Sequence, residues 1–183
     1  MNQAYFATIG VLFTLPVTAL AQVPRDSTHY PPRAQYRHSV AILAPYDSDQ
    51  NKTVLQTAPF SLTSSLSISV LSALDGKVVV APAPNVVFTF WSTAPGGRYA
   101  SNTRVLALLN DTDTLDLGKA WLTPNPRPGY TEVLLKGALL GQFLSIVNSK
   151  TVVLSIGPTT QRLTDTQLAI LRDFASRMAP VRH

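Results

Sequence analysis

The chain has no cysteine among its 183 residues. Disulfides, thiolate nucleophiles, thiol redox chemistry and cysteine-held metals are therefore excluded. Histidine is almost as scarce, with only His29, His38 and His183. A serine nucleophile needs a base held rigidly against it. These three lie in the amino-terminal arm, at its junction with the domain and at the last position. They are also too dispersed for a zinc site. No Gly-x-Ser-x-Gly elbow accompanies the many serines. Glutamate occurs once, as Glu132, beside nine aspartates. A glycosidase needs two carboxyls facing each other across a cleft. Most of the aspartates sit in turns or near a helix cap, where bonding to their own backbone explains them. No nucleic-acid motif is present, so no nucleic-acid partner is expected. No segment reaches the roughly eighteen uninterrupted apolar residues of a spanning helix.

What is present begins with an address. Met1–Ala21 has no charged side chain, is apolar from Ala4 onward and ends in Ala19-Leu20-Ala21. Small residues at those two positions are what signal peptidase accepts, so cleavage is expected between Ala21 and Gln22. Pro16 breaks any helix just before the cut. No Lys or Arg marks the start, and an uncleaved anchor is the alternative. Secretion or a periplasmic location follows from this reading. A cysteine-free domain in an oxidising compartment fits a bacterial envelope better than a small animal secreted module.

The net charge of +5 stays with the mature part. Residues 22–37 are polar, with Pro24, Pro31 and Pro32, and read as a flexible basic linker. Its Arg25, Arg33 and Arg37 offer weak contact with anionic membrane. Residues 38–183 read as one domain, expected to be monomeric.

Short strand signals separated by turn signals fill that domain. Val40–Ala44 and Thr53–Thr57 flank the Asp- and Asn-rich turn at 45–51. Leu66, Ile68 and Val70 alternate with serines, a period of two with one wet face. Asp75-Gly76 reads as a hairpin turn with Lys77–Ala81 as its return strand. Val86–Trp91 is apolar on both faces and suits a central strand. Arg104–Leu109 and Thr114–Leu117 flank another hairpin, and Thr131–Lys136 and Thr151–Ile156 follow. Gly141–Ser149 has helical spacing. Thr164–Met178 is a helix with Thr164 and Gln167 as its capping box and Leu163 and Leu168 as its staple. Its apolar stripe leaves Arg172 and Asp173 toward water. The whole predicts a mainly β fold: an antiparallel β-sandwich or open barrel with one short helix and a packed carboxyl-terminal helix over 164–178.

Three loops carry the exposed-looking aromatics and arginines: Trp91 to Tyr99 with Arg98, Trp121 to Tyr130 with Arg127, and 45–51 with Tyr46. Trp, Tyr and Arg dominate binding hot spots, and loops on a rigid sandwich are where such sites lie. Trp91, Arg98, Tyr99, Trp121, Arg127 and Tyr130 are thus the candidate contact residues. The competing assignment puts both tryptophans in the core at strand ends. Asp111-x-Asp113-x-x-Asp116 matches part of a calcium loop, but lacks its glycine and closing glutamate. A polar hairpin turn explains the same residues. No cofactor, metal or catalytic residue is expected.

The carboxyl-terminal half resembles a family of uncharacterised secreted bacterial proteins. The stretches that carry the resemblance are Phe143–Asn148, Val152–Gly157, Leu163–Leu168 and Leu171–Ala175, after the hairpin Leu108–Gly118. The family has Phe two residues before its Leu-Thr, where this chain has Gln161. These are core and capping residues, so the resemblance implies fold and secretion and brings no activity. The expected role is a secreted, non-enzymatic binding or interaction module of the envelope, with an extracytoplasmic protein or wall polymer as partner. The alternatives are a polysaccharide- or wall-acting hydrolase using Glu132 and an Asp, and a membrane-surface protein held by the basic arm.

Overall fold

The computed structural model describes residues 29–33, 35–79, 81, 83–96, 98–99, 103–123 and 128–180. The expected leader, Arg25 and Arg127 lie outside them. Among the described residues, twelve strands and two helices follow in chain order: β1 (Ile42–Leu43), β2 (Tyr46–Asp47), β3 (Lys52–Thr57), β4 (Phe60–Ser61), β5 (Leu66–Asp75), β6 (Asn85–Ser92), β7 (Arg104–Leu109), β8 (Asp113–Lys119), β9 (Trp121–Leu122), β10 (Glu132–Leu139), α1 (Leu140–Asn148), β11 (Val152–Ile156), β12 (Thr159–Arg162) and α2 (Asp165–Met178). A large sheet runs β1-β3-β5-β6-β10-β9, with β2 on β3 and β4 on β5, and a smaller one runs β12-β11-β7-β8. Every pairing is antiparallel. The fold is the mainly β, sandwich-like architecture with a short helix and a carboxyl-terminal one.

The alternation in β5 does what a period of two requires. Leu66, Ile68, Val70 and Leu74 are buried, and Ser67 and Ser69 face outward. Ser72 falls on the inner face, and its hydroxyl donates to Asn85 O at 2.9 Å. In β6, Val86, Phe88 and Phe90 are buried while Val87, Thr89 and Trp91 are only half-buried. The strand is central, as its apolar composition suggests, yet only one of its faces is covered.

The expected return strand Lys77–Ala81 is absent from the described residues. The chain turns over residues 76–79, and Val78 is 54% exposed. β5 already pairs with β3 on one side and β6 on the other. The strand carrying Phe88 and Phe90 buries far more apolar area than Val78-Val79 would, so it takes the slot.

The Asn110-Asp111 hairpin has both residues at positive φ, 52° and 62°. Asn and Asp tolerate that conformation, and it matches the twist of the flanking strands. Beyond β8 the chain crosses directly into the large sheet through buried Ala120, whose N–H donates to Thr103 O at 2.7 Å. A bulge between Val105 and Leu106, beside Gly118 at φ 89°, sharpens that corner.

α2 is capped as its sequence predicts. Thr164 Oγ1 accepts the Gln167 N–H at 3.2 Å, and Gln167 Oε1 accepts the Thr164 N–H at 2.8 Å. Phe143 of α1 stands between Phe88 of the large sheet and Phe174 of α2, with ring centroids 5.8 Å apart on each side. Arg172 does not go to water. Its guanidinium donates to Val147 O at 2.9 Å and Ser149 O at 2.8 Å, satisfying the carbonyls at the end of α1. Asp173 is also partly buried, and accepts from His38 Nε2 at 3.2 Å and from Arg177 at 3.0 and 3.1 Å.

The described part of the arm is attached to this helical layer. Tyr30 packs against the core, and Asn148 donates to His29 O at 2.7 Å. Arg33 donates to Ala179 O at 3.2 Å, at the carboxyl end of α2 where a cation meets the helix dipole.

Phe143→Ala is expected to cost about 3–5 kcal/mol. Chemical denaturation of the variant reads that loss. A cost near zero would show that the helices do not depend on the aromatic bridge.

Candidate functional site

The inner face of the large sheet is spent on the core, which leaves the outer face. Strand register fixes which residues share it. One row is Ser61, Ser67, Trp91 and Val133. The next is Ser69, Thr89, Leu135 and Trp121. A third is Leu43, Gln56, Leu71, Val87 and Gly137. Val54 with Ala73, and Asn85 with Leu139, continue the pattern. Apart from buried Val133, these positions are half-buried or exposed. None of these carries a charge; the next row on the same face, beyond Val54 and Ala73, holds Asp47, Lys52 and Asp75.

The two tryptophans of the chain both lie here. Trp91 packs against Tyr130, with centroids 5.0 Å apart and planes tilted by 47°. Its indole N–H donates to Ser69 Oγ at 2.9 Å, which fixes the ring on the sheet surface. Trp121 is 51% exposed. It lies two strands and one row from Trp91, or about 12 Å at ordinary sheet spacings. Leu43 and Leu139 are 50% and 53% exposed on the same face. β9 was not legible as a strand, and the Leu135 and Leu139 contribution depends on register.

The structure therefore brings Trp91, Trp121 and Tyr130 together and separates Tyr99 from them. Tyr99 is a core residue at 3% exposure. Its hydroxyl shares a 2.8 Å hydrogen bond with Thr159 Oγ1, and its backbone N–H donates to Glu132 Oε1 at 3.1 Å. A phenol with a buried partner for its hydroxyl has reason to leave the surface. Arg98 is exposed beside it. Tyr46, in the third loop, is exposed and donates to Asn51 Oδ1 at 2.9 Å.

Two charged residues point inward from β10. Glu132 is 5% exposed and hooks the loop before β7 through Tyr99; its Oε2 has no hydrogen-bond partner. A general acid must reach substrate, whereas this carboxyl is enclosed. Lys136 lies opposite Phe88, and a Cβ added at Gly118 would come within 3.3 Å of its Nζ. Burial holds its ammonium below the ordinary lysine range, and Asp116 opposes part of that shift.

Two of the three aspartates of the partial calcium pattern are engaged with cations of the protein. Asp111 accepts from Arg162 at 2.6 Å, and Asp116 accepts from Arg104 Nε at 2.9 Å. The Arg104 hydrogen bond holds the Asp116 carboxyl below the usual range. Among the described residues, no group of three or more acidic or histidine side chains is placed to hold a metal.

Glu132→Ala is expected to cost about 1–3 kcal/mol through the lost hook to Tyr99, and Glu132→Gln less, because an acceptor remains. Equal losses in thermal melts would contradict the hook. Lys136→Met is expected to raise the melting temperature at neutral pH. A lysine with a depressed folded pKa makes the native state bind fewer protons than the unfolded chain, so its cost fades as pH rises through the folded value toward 10.5. The gain from Lys136→Met should therefore shrink over that alkaline window. A lower melting temperature at neutral pH would mean that Asp116 outweighs the burial.

Comparison of the chain with protein-family models, with curated proteins and with solved structures finds no match.

Proposed function

We propose that this protein is a secreted, non-enzymatic binding module of the bacterial envelope, and that it makes contact through the outer face of the large sheet. The observation that carries the reading is the Trp91–Tyr130 ring pair, 5.0 Å between centroids, on rows without charged side chains, with Trp121 half-exposed two strands away. Aromatic side chains supply most contact energy when a partner desolvates them. Trp91 also packs on Tyr130, but the exposed Trp121 side chain contributes little to the fold. Secretion rests on the apolar leader and its Ala19-Leu20-Ala21 end.

Two details weigh against the alternatives. Glu132 is enclosed and engaged by Tyr99, which leaves a hydrolase without its most suitable acid. Arg33 is bonded to the end of α2, which reduces what the arm offers an anionic membrane.

The test is made on the exported protein in its host. The mature amino terminus should be Gln22, and the protein should sediment with the envelope. Trp121→Ala should lower that retention severalfold while leaving the melting temperature within about 2 °C, since an exposed side chain contributes little to stability. A cytoplasmic, uncleaved protein would contradict the address. Retention unchanged by Trp121→Ala would contradict the contact face.

A further inference from the structure

We propose that the ligand of this face is a chain of neutral sugars, an inference that rests on the contact face proposed above. Four features favour it.

Size comes first. Rows about 6.8 Å apart on strands about 4.8 Å apart give the patterned face on the order of 550 Å². A stable protein interface needs about 800 Å² from each partner. The face suits something narrower than a folded domain.

Charge comes second. The chain carries +5 overall, yet the rows through Trp91, Trp121 and Leu71 hold no charged side chain. An anionic polymer or a nucleic acid takes most of its affinity from cations along its backbone, and this face offers only Lys52, paired in register with Asp75 two rows beyond Leu71. A neutral ligand loses nothing by that.

Chemistry comes third. The C–H faces of a pyranose ring carry slight positive charge and lie well on the negative face of an aromatic ring. Ser67 and Ser69 flank Trp91 on the side away from Trp121, and Thr89 shares the row of Trp121; their hydroxyls have donor and acceptor capacity for sugar hydroxyls.

Rigidity comes fourth. Trp91 is held by Ser69 and Tyr130, so its ring is set before a ligand arrives. Preorganisation lowers the entropy cost of binding. The separation of about 12 Å between Trp91 and Trp121 calls for an extended ligand that reaches both.

The experiment uses tryptophan emission of the mature chain, because both tryptophans belong to the face. The probes are soluble β-1,4-glucan, β-1,3-glucan, α-1,4-glucan and galactomannan, with polygalacturonate and a single-stranded oligonucleotide as charged comparisons. At least one neutral polymer should give a saturable change that is the same at about 50 and 500 mM salt. Trp121→Ala should weaken it at least tenfold, and Tyr46→Ala should leave it unchanged. No saturable change with any neutral polymer overturns the proposal. So does a change seen only with the charged polymers and lost at high salt. A photocrosslinker at the edge of the face, Leu139→benzoylphenylalanine, separates the two failures. An adduct to one protein in the host, with blank sugar titrations, overturns the sugar and leaves the face as a contact site. No adduct and no titration overturns both.

Discussion

The interaction on which the rest of the molecule depends is the edge-on contact of Phe143 with Phe88 and Phe174. It joins a sheet strand, the short helix and the terminal helix through side chains. Each ring pair adds about 0.5–1.5 kcal/mol beyond simple burial. The larger effect is geometric. With α1 and α2 fixed on the inner face, that side of the sheet is committed to the core. The opposite side is left to water, and both tryptophans are there.

The inner face is not purely apolar, and its exceptions have local reasons. Ser72 hydrogen-bonds the neighbouring strand. Glu132 accepts the Tyr99 backbone N–H and so holds Tyr99 in the core. Lys136 lies under the corner at Gly118, where the bulged strand leaves room for its ammonium. The helix ends are handled in the same way. Arg172 serves the end of α1 and Arg33 the end of α2. Arginine fits both places because its fork satisfies two carbonyls at once or meets the negative end of a dipole.

Local signals were legible in the sequence and long-range ones were not. The Thr164–Gln167 box, the Asn110-Asp111 turn and the alternation through Leu66–Val70 are each decided within a few residues, and each forms as read. The return strand at Lys77–Ala81 failed because strands compete for slots, and β6 is the stronger competitor. Arg172 and Tyr99 were placed outside because their partners lie far along the chain, at Val147, Ser149 and Thr159. Three of the six candidate contact residues, Trp91, Trp121 and Tyr130, fall together, but loop position did not foretell why. Trp91 and Trp121 share one sheet face through the register of β6, β10 and β9, Tyr130 joins them by its contact with Trp91, and register is not written in any single strand.

The account divides one sheet into a side that builds the protein and a side that serves it. Hydroxyl-radical footprinting of the exported protein, in its native envelope and after purification, tests that division most directly. The account predicts that Trp121, Trp91 and Leu139 lose reactivity in the envelope, while exposed Tyr46, off the face, reacts equally in both. Equal reactivity of Trp121 in the two states would contradict it.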